Sequence, residues 1–221
     1  MKSYPIQLDV SGRACLVVGG GPIGLIKAKQ LAACGAELHL VSRSFVPGFD
    51  HLEPAARHKR PFADADVDDM YVVHAATDAA AMNEHIANLC KEHEILCGVA
   101  TETSAGSFSV PAIMEAGDLR ITIATNGASP SYGARLRREW TEHLPEYLQA
   151  YLDFLRRARD QSKTAISNPS LRMRFNAYLA SPEGESRFAQ CPPEQRAAWV
   201  DTLLQHPDQI PESFTPTWER G

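Results

Sequence analysis

The stretch LVVGGGPIGLIKAKQLAACG, residues 16 to 35, admits few folds. An apolar run at 14–18 (ACLVV), rich in β-branched residues, leads into three consecutive glycines. The segment that follows, with Ile23, Ile26, Leu31 and spaced alanines, suits a buried helix ending at Gly35. AELHLVS then alternates as a second strand, so strand, tight turn, helix and strand fit within about 30 residues, the length that a parallel crossover needs. Two more strands, MYVVHAA at 70–76 and ILCGVA at 95–100, bracket the helical AAAMNEHIANLCKEH. Strands alternating with helices imply a parallel sheet covered on both faces.

The rhythm changes near residue 106. SFSVPAIMEAGDLRITIAT reads as two strands about a turn at Gly117, a hairpin rather than another strand–helix unit. After NGASP the chain turns helical: YGARLRREWTEHL and, past Pro145, EYLQAYLDFLRRARDQ carry leucines and aromatics three and four residues apart. SNPS and SPEGES punctuate a further helical region, PPEQRAAWVDTLLQH reads as one more helix, and the Pro-rich tail from 207 is expected to be loosely ordered.

A chain of 221 residues with 44% hydrophobic and 22% charged residues suits one larger domain plus an appendage. The formal net charge of −5, with no massed basic block in the first half, argues against a nucleic-acid partner. No apolar run approaches membrane-spanning length and MKSYPIQLDVSGR lacks a signal peptide's apolar core, so a cytoplasmic protein with no membrane partner is expected. The five cysteines are odd in number, scattered and without a CxxC pair, which implies neither a disulfide framework nor a thiolate zinc site.

Gly19, Gly21 and Gly24 fit G-x-G-x-x-G directly after a strand and at the opening of a helix, the context that makes this motif a dinucleotide signal. The first glycine permits the turn, the second lets backbone approach a pyrophosphate, and the third allows close helix packing. The helix N-terminus offers unpaired N–H groups to the anion. The acidic residue that commonly holds the adenosine ribose, about 20 residues on, is absent; Ser42 and Arg43 occupy that place. An arginine there can accept a 2′-phosphate, lie over the adenine or stay solvated, so the residues leave NAD and NADP open.

Four pieces in order and spacing carry a more specific signal: YPIQLDVSGRACLVVGGGPIGLIKAKQLAACGAELHLVS, AATD at 75–78, GSFSVPAI at 106–113, and ATNGASPSYGARLRREWTEHLP. Over roughly residues 1 to 160 they resemble precorrin-2 dehydrogenase, the siroheme synthase N-terminal family. The resemblance implies an α/β fold: a Rossmann-like NAD-binding domain over 1–105, a small β-rich dimerisation region over 106–145 and a helical C-terminal domain over 146–221. It implies a homodimer that oxidises the tetrapyrrole precorrin-2 to sirohydrochlorin with NAD. Some members also insert ferrous iron. The chain is too short for the methyltransferase domain of the multifunctional enzyme and looks like the stand-alone form.

Carried across, the resemblance places Gly21, Pro22 and Ile23 in the cofactor turn, Ser42 at the adenosine end, and Thr77 with Asp78 in the loop after the third strand. Asp78 can equally cap the following helix. Ser129 matches the serine of the family's SP signature, bordering the tetrapyrrole pocket, and can equally cap the helix near Pro130. Where the family has an aspartate proposed as general base and chelation aid, this chain has Thr101, with Glu102 beside it. A threonine cannot accept a proton as a carboxylate can. The candidate catalytic positions are therefore Glu102, Thr101 and Ser129, and Glu102 has an alternative as an exposed loop residue. Gly19, Gly24 and Arg43 complete the cofactor set.

His85, Cys90 and His93 share one helix, but their offsets keep Cys90 off the line of the histidines, and no metal site is expected. His74, at a strand end near the cofactor loop, is the better functional histidine. Arg135, Arg137, Arg138, Arg156, Arg157 and Arg159 are candidates for gripping a substrate rich in carboxylates, or a solvated helix face. The rival functions are a bifunctional dehydrogenase and ferrochelatase, and a non-catalytic NAD-sensing module.

Overall fold

A computed structural model describes residues 4–100 and 105–214; Thr101 and Glu102 lie outside the described residues. Two compact units divide the chain, Met1–Pro111 with Ala124–Ser129, and Ala112–Ile123 with Pro130–Gly221.

The first unit is a five-stranded parallel sheet of β1 (Ala14–Val18), β2 (Glu37–Val41), β3 (Ala56–His58), β4 (Val72–Ala75) and β5 (Leu96–Val99), in the order β3-β2-β1-β4-β5. Helix α1 (Pro22–Ala33) links β1 to β2, and α2 (Ala80–Glu92) links β4 to β5. The strand order reverses between β1 and β4, so their carboxyl ends flank the crevice where an open α/β sheet binds its ligands.

Side-chain alternation explains why β1 is apolar throughout. Cys15 and Val17 enter a core with Ala28 and Leu31 of α1, while Leu16 and Val18 point to the opposite face and pack with Ile86, Ala87 and Cys90 of α2. A strand buried on both faces has no polar side to show.

Two details of this unit differ from the sequence reading. The buried stripe of α1 is Gly24, Ala28 and Leu31, at i, i+4 and i+7, whereas Ile23 and Ile26 are 49% and 54% exposed. The helix meets the sheet through its smallest residues, which turns the isoleucines outward. The edge strand β3 is also unanticipated, because its three residues carry no apolar alternation.

In the second unit β6 (Ala112–Ala116) and β7 (Leu119–Ile123) form an antiparallel hairpin pairing Ala112 with Ile123 and Ala116 with Leu119. Gly117 holds the turn at φ +58°. Helix α3 (Pro130–Thr141) packs on the hairpin, and α4 (Leu148–Ala165), α5 (Pro169–Leu179), α6 (Pro182–Gln190) and α7 (Arg196–Gln205) follow. Their core gathers Tyr151, Phe154, Phe175, Phe188 and Trp199.

SNPS and SPEGES are helix starts. Asn168 Oδ1 accepts from Ser170 N at 2.9 Å and Ser181 Oγ from Gly184 N at 3.1 Å, each cap being followed by a proline at the first helical position. The tail is packed as far as Phe214 rather than loose. Its prolines set short 3-10 turns that bury Ile210 in the helical core and bring Phe214 edge-on to Tyr178 at 5.1 Å. Among the described residues no helix is long and apolar enough to cross a membrane.

Candidate dinucleotide site

The four glycines after β1 answer to different constraints. Gly19 has φ +122°, and a Cβ there would overlap the Ala76 carbonyl at the end of β4. At Gly20 a Cβ would overlap the Ser44 carbonyl, and at Gly24 the Gly19 carbonyl. The fold itself therefore demands these three.

Gly21 is different: its φ of −83° and ψ of −176° suit any residue, and a Cβ would meet nothing within 4 Å. Nothing in the protein requires a glycine there. The residue caps α1 without a side-chain hydrogen bond, ahead of Pro22, so the N–H groups of the first turn have no side-chain acceptor.

Gly21 lies on a cavity of about 550 Å³ at the carboxyl ends of the strands. Gly19, Gly21, Pro22, Ile23, Ser42, Arg43, Thr77 and Asp78 all line it; Gly24 does not, being packed beneath the turn. The volume is within the range of small-molecule sites. Arg60, Phe62 and Met82 line it as well, and sequence reading did not single them out.

The loop after β4 is set from below by Asn83, which is fully buried on α2. Asn83 Oδ1 accepts from Thr77 N at 3.0 Å and from Thr77 Oγ1 at 2.7 Å, and its Nδ2 donates to Thr77 O at 3.0 Å. One side chain thus satisfies both backbone groups of Thr77 and fixes the cavity wall. The Thr77 hydroxyl in turn accepts from Ala79 N at 3.3 Å. Asp78 does not cap α2, whose N-cap is Ala79, and is left exposed on the cavity.

Arg60 is held in a bidentate pair with Asp66, its Nη1 lying 2.8 Å from Oδ2. The guanidinium holds the Asp66 carboxyl below its ordinary range, and Asp66 also accepts from Ala63 N at 2.8 Å. Arg60 is thereby oriented on the rim. Arg43 and Arg60 stand on the cavity after β2 and β3, with Asp78, the single carboxylate on it among the described residues, after β4.

A family model described as putative NAD(P)-binding matches residues 6–112. The siroheme synthase of Acinetobacter baylyi is 33% identical over 193 residues, covering 85% of this chain and 42% of that protein. The siroheme synthase of Thioalkalivibrio sulfidiphilus is 32% identical over 178 residues, covering 79% of this chain and 36% of that protein. The chain is thus similar to the siroheme synthases over most of its own length. It spans 36% and 42% of the length of these two curated relatives. The solved structure of SirC, precorrin-2 dehydrogenase, shares the fold, with a TM-score of 0.75 and 21% identity over 90% of this chain and 100% of that one.

The remaining candidates are dispersed. Ser129 donates its backbone N–H to Thr125 Oγ1 at 3.2 Å and is not on the dinucleotide cavity. His74 is buried within the sheet, its ring 5.3 Å from that of Phe108. Burial, helped by the charge of Lys27, pushes its pKa down to about 4, and it does not line the cavity. His85 faces Asp64 Oδ1 at 2.7 Å, Cys90 is buried in the core, and His93 is exposed. Of the arginines, Arg135 pairs with Glu139, and Arg156 with Asp118 and Asp153.

Proposed function

We propose that this chain is an NAD-dependent precorrin-2 dehydrogenase, producing sirohydrochlorin for siroheme synthesis. The observation that carries the reading is Gly21: a glycine that the fold does not need, on the cavity at the head of α1, in a chain similar to siroheme synthase over 85% of its length. A backbone free of Cβ beside unpaired helix N–H groups fits a pyrophosphate.

In this reading the backbone of Gly21 and the first turn of α1 hold the pyrophosphate, Ser42 and Arg43 border the adenosine end, and Thr77 and Asp78 border the nicotinamide end. When bound, NAD supplies the hydride acceptor. Thr77, locked by Asn83, keeps the cavity wall in one position, so the protein contributes mainly orientation. Removing a hydride leaves one proton to be lost from the macrocycle; Glu102 is the candidate acceptor, with Thr101 in place of the family aspartate and Ser129 at the tetrapyrrole pocket.

We also propose a homodimer formed through the 106–125 region. The β6–β7 sheet has only two strands among the described residues, so each strand keeps one unpaired edge even with α3 packed on the hairpin. Symmetric pairing would cover its edges. Light scattering at micromolar concentration should give the dimer mass; a monomer would remove this part.

The test of the activity is anaerobic incubation with precorrin-2 and NAD, followed spectroscopically. Sirohydrochlorin and NADH should appear in equal amounts in the native chain and neither in Gly21→Asp, whose carboxylate would repel the pyrophosphate. Calorimetric binding of NAD without turnover would instead favour the NAD-sensing module.

A further inference from the structure

The loop after β2 is pinned against the glycine turn. Gly19 N donates to the Val41 carbonyl at 3.0 Å, Val46 N to the Gly20 carbonyl at 2.9 Å, and Ser42 N to the carbonyl of His58, the last residue of β3, at 3.1 Å. These bonds fix the backbone of Ser42 and Arg43 at the dinucleotide cavity, which both residues line. Rossmann-type sites commonly place here a carboxylate that holds the ribose 2′-hydroxyl of NAD. Such a carboxylate does two things: it accepts from the hydroxyl, and it repels a phosphate in the same position. Here the position is Ser42, and the only lining carboxylate among the described residues, Asp78, follows β4 on the other side of β1.

Two guanidinium groups stand on the β2 side of the cavity instead. Arg43 is exposed and makes no hydrogen bond or ion pair among the described residues, so its donors are available to a ligand. Arg60 is held in place. Its Nη1 donates to the Pro61 carbonyl at 2.9 Å and to Asp66 Oδ2 at 2.8 Å, and its Nη2 donates to Asp66 Oδ1. Those bonds use both Nη1 protons and one Nη2 proton, leaving the Nε proton and the other Nη2 proton. Asp66 offsets the charge of Arg60, so Arg43 supplies the uncompensated charge and Arg60 supplies directed donors.

We infer that the β2 side of this cavity accepts a 2′-phosphate, with Arg43 as its principal partner, so that NADP binds this chain at least as tightly as NAD. The inference rests on the dinucleotide reading of the cavity and adds the cofactor choice that the glycine motif leaves open. A 2′-phosphate brings about −1.5 to −2 charge and three acceptor oxygens, which match a free guanidinium. The other roles open to Arg43 are separable from this one. Stacked on the adenine it would hold NAD and NADP alike, and solvated it would hold neither. Only a phosphate partner changes the ratio of the two affinities.

Calorimetric titration of the full chain with NAD and with NADP, each at low and moderate salt, reads that ratio. The native chain should bind NADP at least as tightly as NAD, and NADP affinity should fall more steeply with added salt. In Arg43→Ala the ratio of NADP to NAD affinity should drop at least about tenfold. Ser42→Asp, which supplies the missing carboxylate, should move the ratio toward NAD by at least about tenfold as well. Lys29→Ala, exposed on α1 and off the cavity, should leave both affinities unchanged. Weaker binding of NADP than of NAD by the native chain, or an unchanged ratio in Arg43→Ala, would overturn the inference while leaving the dinucleotide site standing. Binding of neither cofactor would overturn the dinucleotide reading and this inference with it.

Discussion

Alanine at Gly21 and alanine at Gly19 should separate a glycine kept for a ligand from one kept for the fold. At Gly21 the backbone is extended, and a Cβ meets nothing within 4 Å. Replacing glycine at an unstrained site stabilises by about 0.4–1 kcal/mol through the unfolded chain. Alanine is a poorer N-cap than glycine by a similar amount. The two effects nearly cancel, so Gly21→Ala should unfold within about 0.5 kcal/mol of the native chain. Its methyl group would project toward the bound pyrophosphate, and NAD affinity should fall at least about tenfold, or 1.4 kcal/mol. Gly19→Ala carries φ +122° strain and an overlap with the Ala76 carbonyl. Strain of about 1–3 kcal/mol and a backbone shift of about 1–3 kcal/mol give a loss of roughly 2–6 kcal/mol. Urea unfolding and calorimetric titration with NAD read both quantities. A Gly21→Ala protein that binds NAD normally would refute the assignment of this glycine to a ligand.

Asn83→Ala should lower unfolding stability in urea by about 2–3 kcal/mol, three hydrogen bonds being lost to a half-buried Thr77 that water can partly reach; NAD affinity should fall too, and full retention of both would disprove the positioning role. His74 is neutral in the folded protein, with its pKa lowered from 6.5 to about 4, so its share of stability is complete above pH 6.5, is lost as pH falls toward 4, and changes no further below. That window is worth about 3 kcal/mol, and His74→Leu should flatten it in pH-dependent urea titrations. Because iron insertion needs pyrrolic protons removed and a cation guided inward, the native chain should oxidise precorrin-2 yet insert cobalt or iron poorly, with Thr101→Asp improving insertion. Glu102→Gln should lower turnover at unchanged NAD affinity if Glu102 is the base; efficient metal insertion by the native chain would undo the reasoning about Thr101.

The parts of the fold that sequence reading reached are those with local signatures. β1, the glycine turn and α1 announce themselves through apolar periodicity and backbone need, and the hairpin through its two short runs about Gly117. What it missed depends on partners distant in the chain. β3 exists because His39, Leu40 and Val41 offer it a ladder, not because of its own three residues. Asn83 looks like one more polar residue in an alanine-rich helix until Thr77 is placed against it. Arg60 gains its orientation from Asp66 through a pairing that composition does not reveal. The inward stripe of α1 is not legible from spacing, because size decides it: Ile23 and Ile26 yield the sheet face to Gly24 and Ala28. Thr101 and Glu102 rest on sequence reasoning alone.

The division of the chain into two units has a consequence for proteolysis and for gene architecture. The backbone passes from one unit to the other three times, after Pro111, after Ile123 and after Ser129. A protease nick at any one of these crossings cuts the chain in two but leaves parts of at least one unit on both fragments. A fragment ending at Pro111 would lack Ala124–Ser129, and one beginning at Ala112 would carry that piece of the first unit away with it. No single break yields two whole units, so a split or fusion of coding sequence within this stretch would divide at least one of them.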